Sequence, residues 1–288
     1  MRTALITGTS TGIGYATACH LAHKKYRVFA SMRNPDTGSA ALQEAAEKGG
    51  WNLEIVQLDV DDPVSAERAV HQVLQKAGRI DVLINNAGIA APGPIETLSD
   101  AAWKAVFEIN FFGAMRLIRL VVPGMRERRD GTVVNISSVA GRLASDLAGA
   151  YAASKFALEA ASEALAIEVR RFNIRVAIVE PGVILTPIFE KHMREPDPAS
   201  PYVELAHRKR RVFESRLEAA GQPEDVAKMV GHAIETDEPR LRYPVGWDAE
   251  KWIAGRQRMT DEEWLELGEE MTEGAFERSY WERFGMRI

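Results

Sequence analysis

Tyr151 and Lys155 stand four residues apart in the string YAASK, which runs on into FALEAASEALAIEVRRF. The Ala, Leu and Glu content of that stretch predicts a helix over about residues 151–172. Side chains at i and i+4 lie one above the other on a helix face, so a phenol and an ammonium can converge there. A free phenol has a pKa of about 10, too high to exchange protons readily near neutrality, and a nearby ammonium favours the phenolate. The pair therefore suits proton transfer. An amphipathic helix with a half-buried Tyr and a solvated Lys has the same spacing, and the rest of the chain must decide between the two.

A second candidate site lies at the other end of the sequence. In LITGTSTGIG, Gly8, Gly12 and Gly14 fall between a first strand and a first helix. The spacing G-x-x-x-G-x-G departs from G-x-G-x-x-G, but the physics is shared: a tight turn, close backbone approach, and unpaired helix N–H groups offered to a pyrophosphate. A plain glycine-rich turn is the alternative. The second strand ends at SMRNP, where a site for NAD usually places an acid against the ribose hydroxyls. Met32 holds that position and Arg33 follows. A guanidinium matches a 2′-phosphate in charge and geometry, which favours NADP(H) over NAD(H), although Arg33 as a solvated loop residue is the other reading. Asp59 closes the third strand, positioned to accept from an adenine amino group.

The elements that position these groups alternate along the chain. Short β-branched runs (3–8, 27–32, 53–60, 81–88, 132–137, 175–182 and 240–246) are separated by helical patterns. Several strands are apolar without alternation, as in a parallel sheet covered on both faces, and the repetition predicts an α/β, Rossmann-type, doubly wound parallel sheet. The 288 residues read as a single domain without an internal linker or repeat before residue 186. Hydrophobic residues at 46%, charged residues at 27% and a formal charge of -5 describe an ordinary soluble protein and give no case for nucleic acid or an acidic membrane as partner. The single cysteine, Cys19, fits a reducing cytoplasm. A strand beginning almost at Met1 leaves no room for a cleaved signal, and the apolar run 111–122 is too short to span a bilayer and is broken by Arg116 and Arg119. The histidines (20, 23, 71, 192, 207 and 232) show no metal-ligand spacing, so no metal is expected. Asn135-Ile136-Ser137 matches a glycosylation sequon, but a buried cytoplasmic strand rules it out.

Taken in order, TGTSTGIG, Asp59-Val60, NNAG (85–88), Asn110, NISS (135–138), YAASK and PGV (181–183) make the chain resemble the short-chain dehydrogenase/reductase family over about residues 3–190. The resemblance implies an oxidoreductase acting at C=O or CH–OH, with a Ser-Tyr-Lys triad and a supporting Asn. Family spacing, thirteen residues before the tyrosine, selects Ser138 over Ser137, and Asn110 is the fourth member. Tyr151 would be the acid/base. Lys155 would charge it and bind the nicotinamide ribose. Ser138 would donate to the substrate oxygen, and Asn110 would hold a water linking Lys155 to solvent. The implied cofactor contacts add Ser10, Thr11 and Ile13 in the glycine loop, Asn86, Ala87 and Gly88 after the fourth strand, and Pro181, Gly182, Val183 and Thr186 over the nicotinamide.

The later chain resembles, more narrowly, the 17β-hydroxysteroid and retinol dehydrogenase branch, which implies a hydrophobic steroid-, retinoid- or aromatic-ketone-like substrate. There, His207 in LAHRK would meet the far end of the substrate; a surface histidine among arginines is the other reading. Residues 186–216, with a proline-rich stretch at 193–201 and a basic helix at 206–216, read as a lid, mobile until substrate binds. Ile184, Leu185, Ile188, Phe189, Val203, Leu205 and Phe213 would line one wall, and Arg142, Leu143 and Leu147 the other. An acidic, aromatic extension over 248–288 is expected to pack on its own subunit and close the substrate side, or to contact a partner. The family also implies a homodimer or homotetramer through long helices near 101–128 and 151–172. A non-catalytic NADP(H)-binding sensor or scaffold is the competing class, which would not require Ser138, Tyr151, Lys155 and Asn110.

Overall fold

The computed structural model describes residues 1–190, 197–269 and 271–288, so His192 and positions 193–196 of the proline-rich stretch lie outside the described residues. β1 (Thr3–Thr7), β2 (Arg27–Met32), β3 (Leu53–Gln57), β4 (Val82–Asn85), β5 (Gly131–Ile136), β6 (Ile174–Pro181) and β7 (Arg242–Val245) pair in parallel, in the order β3-β2-β1-β4-β5-β6-β7. The strands expected from the sequence are all present, and four are shorter: β1, β3, β4 and β7. β3 stops at Gln57 and β4 at Asn85, so Asp59, Val60 and the Asn86–Gly88 turn have already left the sheet at its carboxyl end. The order reverses between β1 and β4, and that crevice is where open α/β sheets bind ligands.

Helices cover both faces. α1 (Gly12–His23), α2 (Pro35–Gly38), α3 (Ala40–Gly49), α4 (Pro63–Ala77), α5 (Asp100–Phe107), α6 (Gly113–Arg128) and α7 (Gly149–Arg170) follow the first five strands. α8 (Pro187–Glu190), α9 (Val203–Glu214), α10 (Pro223–Glu235), α11 (Trp247–Arg258), α12 (Asp261–Leu265) and α13 (Glu273–Phe284) complete the chain. Adjacent strand residues point to opposite layers. Ala4, Ile6, Val28 and Ile84 pack under α1 and α10, while Leu5, Phe29, Leu83 and Val133 pack under α4 and α6. Each such fully buried aliphatic side chain contributes about 1.5–3 kcal/mol.

The expected long helix over 101–128 is interrupted. Between α5 and α6 the turn Glu108–Phe112 is π-helical, and Asn110 sits within it, 2% exposed. Single π turns of this kind recur at functional sites, because the extra residue re-aims a side chain. Among the described residues no helix is long and apolar enough to cross a membrane.

The C-terminal extension packs on its own chain. Trp252, Phe276, Tyr280 and Phe284 form a third cluster with Val139, Leu143 and Val183, residues that flank the catalytic segment. The basic helix is not a solvated face. Arg211 of α9 pairs with Glu273 and Glu277, Arg208 donates to the carbonyls of Glu269 and Met271, and Arg216, 2% exposed, donates to the Arg287 carbonyl. The basic segment is thus tied to the acidic tail by one arginine's ion pairs and by guanidinium–carbonyl hydrogen bonds.

Candidate active site

The glycine loop builds a cradle at the end of β1. Gly8 and Gly12 adopt φ of 69° and 59°, left-handed values that disfavour any side chain, and a Cβ on Gly14 would lie 2.1 Å from the Gly8 carbonyl oxygen. Thr11 caps α1 without a side-chain hydrogen bond, which leaves the first-turn N–H groups facing the cavity. The loop is fixed from β4: Asn86 Nδ2 donates to the carbonyls of Thr7 (2.8 Å) and Gly8 (3.0 Å), and the Thr7 hydroxyl accepts from the Asn86 and Ala87 N–H groups.

A single cavity of about 890 Å³ runs from this loop across the carboxyl ends of the strands to the tail aromatics. All the residues expected to hold the cofactor line it: Gly8, Ser10, Thr11, Gly12, Ile13 and Gly14; Arg33, Asp59 and Val60; Asn86, Ala87 and Gly88; Pro181, Gly182, Val183 and Thr186. Arg33 is exposed at the rim and forms no ion pair among the described residues, with the Asp61 carboxylate in electrostatic reach. The cradle therefore fits a dinucleotide.

Ser138, Tyr151 and Lys155 line the same cavity. Ser138 follows β5; its hydroxyl accepts from the Ala140 N–H at 3.1 Å and reaches the Pro181 carbonyl at 3.5 Å. Tyr151 and Lys155 project from the first turns of α7, with Lys155 Nζ 5.7 Å from the Tyr151 ring centroid. Lys155, 4% exposed, donates to the Ile136 carbonyl at 2.7 Å. Burial pushes its ammonium down to about 8, and the Glu159 carboxylate opposes that fall.

The protonation of Tyr151 differs from expectation. Burial raises the Tyr151 phenol above its usual value, and the hydrogen bond from Ser138 only partly offsets the rise, so the phenol is not lowered. At neutral pH it is held as a proton donor. Asn110 lies behind the cavity, and both ends of its amide are committed: Nδ2 donates to the Ile89 carbonyl (2.9 Å) and to Ser154 Oγ (3.0 Å), while Oδ1 accepts from the Ile89 N–H (2.8 Å). Its side chain fixes the loop after β4 beside Lys155.

On the substrate side, Leu143, Leu147, Ile184, Ile188, Leu205 and Phe213 line the cavity as expected, but Arg142, Leu185, Val203 and His207 do not. Arg142 turns away to pair with the buried Glu180 at 2.9 Å. Leu185 is 38% exposed, because its N–H is drawn to the Gly221 carbonyl. His207 faces solvent, while Arg208 and Lys209 on the neighbouring positions of α9 reach the cavity. The Phe189 side chain lies outside the described residues.

Residues that the sequence did not single out form or brace the walls. Lys209 is buried against the loop before Tyr151, where it donates to Ser145 Oγ at 3.2 Å and to the Asp146 carbonyl. Asp248, 2% exposed, accepts from the Val183 N–H at 2.8 Å and holds the PGV segment. Trp252 donates to the Tyr280 hydroxyl inside the tail cluster. Only the tail aromatics had a signal in the sequence, their recurrence at helical spacing.

A glycine cradle at the switch point of a parallel sheet, opening onto a Ser-Tyr-Lys cluster, defines a dinucleotide-dependent oxidoreductase. The short chain dehydrogenase family model matches residues 2–197, and the chain belongs to that family. It is 41% identical over 254 residues to retinol dehydrogenase 8 of Homo sapiens, covering 84% of this chain and 80% of that one. To 17-beta-hydroxysteroid dehydrogenase type 1 of Homo sapiens it is 36% identical over 255 residues, covering 83% and 76%. Among solved structures, a short-chain dehydrogenase from Streptomyces avermitilis superposes with a TM-score of 0.79 at 33% identity, covering 93% of this chain and 94% of the other. These relatives agree with the retinol and hydroxysteroid dehydrogenase branch.

Proposed function

We propose that this enzyme interconverts a bulky, hydrophobic ketone and its secondary alcohol, with NADP(H) preferred over NAD(H). One observation carries the reading: the Ser138-Tyr151-Lys155 cluster opens into the same cavity that the aromatic tail walls off. When bound, the nicotinamide supplies or accepts the hydride. The chain's own residues handle the rest. Ser138 orients the carbonyl oxygen, and Tyr151, kept protonated by burial, delivers the proton as negative charge develops there. Lys155 carries the positive charge that stabilises the phenolate left behind.

Arg33 supports the NADP(H) preference, since where β2 ends its guanidinium forms no ion pair among the described residues. The apolar walls support a ring- or chain-bearing substrate of the steroid, retinoid or aromatic-ketone kind, because small ketones forfeit that burial. In the same reading residues 186–216 act as the lid and 248–288 as a fixed wall, and the enzyme works in the cytoplasm as a homodimer or homotetramer. NADPH oxidation measured against estrone, 2-acetonaphthone and acetone, with all-trans-retinal as a bulky aldehyde for comparison, tests the proposal. Turnover of at least one bulky carbonyl, well above acetone, is expected. No turnover with any carbonyl, despite tight NADPH binding, would favour the sensor reading.

A further inference from the structure

The face of α7 that carries the acid/base pair continues one turn further. Tyr151, Lys155 and Glu159 fall at i, i+4 and i+8, about 6 Å apart along the axis at each step. Glu159 is buried as deeply as Lys155, each 4% exposed. An interior carboxylate beside an interior ammonium calls for an account, since each ion alone is costly to bury.

The surrounding charges leave Glu159 only a shared partner. Glu159 accepts from Arg242 Nε of β7 at 2.9 Å, and Arg242 also reaches Glu163 of α7 at 2.7 Å. Glu180 of β6, fully buried, pairs with Arg142 at 2.9 Å and stands 3.6 Å from Arg242. Three carboxylates thus share two guanidiniums. Glu163 is exposed, but Arg242 divides its guanidinium among all three, so Glu159 has no guanidinium to itself, and one turn before it on α7 stands the equally buried Lys155 ammonium. Among the described residues, the groups that Lys155 meets from β5 and the π-helical turn are neutral, the Ile136 carbonyl and the nearby Asn110. Space around Glu159 is also reserved: a Cβ on Gly141 would lie 2.8 Å from its Cγ and 2.7 Å from the Ser137 hydroxyl. The carboxylate is fixed in place by packing as well as by charge.

We propose that Glu159 is a positioning residue for the reaction, the buried counter-charge that keeps Lys155 an ammonium and holds it on the Tyr151 face of α7. The proposal rests on the reading of Tyr151 and Lys155 as the acid/base pair. Burial alone drives the Lys155 amine toward its neutral form, and Glu159 acts against it. Burial and the Glu180 carboxylate in turn press Glu159 toward protonation, while Ser137 and Arg242 keep it charged.

Glu159→Gln is nearly isosteric, keeps an acceptor for Arg242 and removes the charge. In NADPH-dependent reduction of whichever panel ketone is turned over, the alkaline limb of kcat/KM reports loss of the Lys155 proton. The limb is expected to move down by about one pH unit in Glu159→Gln, a tenfold change in the lysine's proton affinity, and to stay in place in Glu163→Gln, whose carboxylate is exposed. A purely structural role would lower stability or kcat and leave the limb where it is, and that result overturns the proposal. A readout free of turnover, and of the success of the Gln variant, is ¹⁵N titration of the Lys155 ammonium in the wild-type protein, assigned with Lys155→Arg. A midpoint at about 8 or above supports the counter-charge. A midpoint below about 7, as for a buried amine with no counter-charge, overturns it.

Discussion

Replacing Phe284 with Ala tests whether the C-terminal extension is a wall of the substrate cavity. Phe284 is 4% exposed, its ring 4.7 Å from Tyr280 and edge-on to Trp264 at 6.3 Å. Truncating a buried Phe to Ala costs about 3–5 kcal/mol, which includes the ring pairs at about 0.5–1.5 kcal/mol each. One side of this cluster faces a cavity, so the neighbours lose fewer contacts than in a closed core and the lower figure, about 3 kcal/mol, applies. At roughly 2–4 °C per kcal/mol for a chain of this size class, the melting midpoint should fall by about 6–12 °C. Kinetics separate wall from mere ballast. KM for the preferred bulky ketone should rise several-fold, while the weak activity on acetone, which does not reach the tail, stays within about twofold. Differential scanning fluorimetry and steady-state rates at a temperature where the variant is folded give both numbers. A loss of less than about 1 kcal/mol with an unchanged ratio of bulky to small substrate would refute the reasoning.

Two further outcomes are expected. The unaltered enzyme should prefer NADPH over NADH by at least about tenfold in kcat/KM, or ~1.4 kcal/mol, and Arg33→Ala should raise KM for NADPH while leaving NADH little changed; equal use of both coenzymes would place the Arg33 guanidinium in solvent. Lys155 should leave a mark on stability against pH. Its folded value of about 8 lies below the unfolded 10.5, so between those values the unfolded chain binds more protons and stability rises with pH. Relative to Lys155→Met, wild-type stability should therefore climb by about 3 kcal/mol between pH 8 and 10.5, read by urea melts, and a flat difference would contradict the buried amine.

The sheet was legible because parallel strands buried on both faces are written as uninterrupted β-branched runs, and each of the seven found its partner. The misjudged strand ends, at Asp59-Val60 and at NNAG, are the places where backbone leaves the sheet to line the cavity, so function overrides propensity there. The glycine loop and YAASK could be read locally, since each is one turn or one helix face. The substrate walls could not. A one-residue change of helix phase on α9 exchanges His207 for Arg208 and Lys209, and Arg142 is claimed by Glu180, thirty-eight residues away. Nor does charge content reveal that Arg208 and Arg211 of α9 are spent on the tail's carbonyls and glutamates.

The central claim, that Tyr151 is the acid/base of a carbonyl–alcohol oxidoreductase, is tested most directly by Tyr151→Phe, with turnover and NADPH affinity measured on the same preparation. The ring and its packing remain and only the hydroxyl is lost. Turnover is predicted to fall by about two orders of magnitude or more, while the Kd for NADPH from fluorescence titration stays within about threefold. Near-normal turnover in the Phe variant would contradict the account.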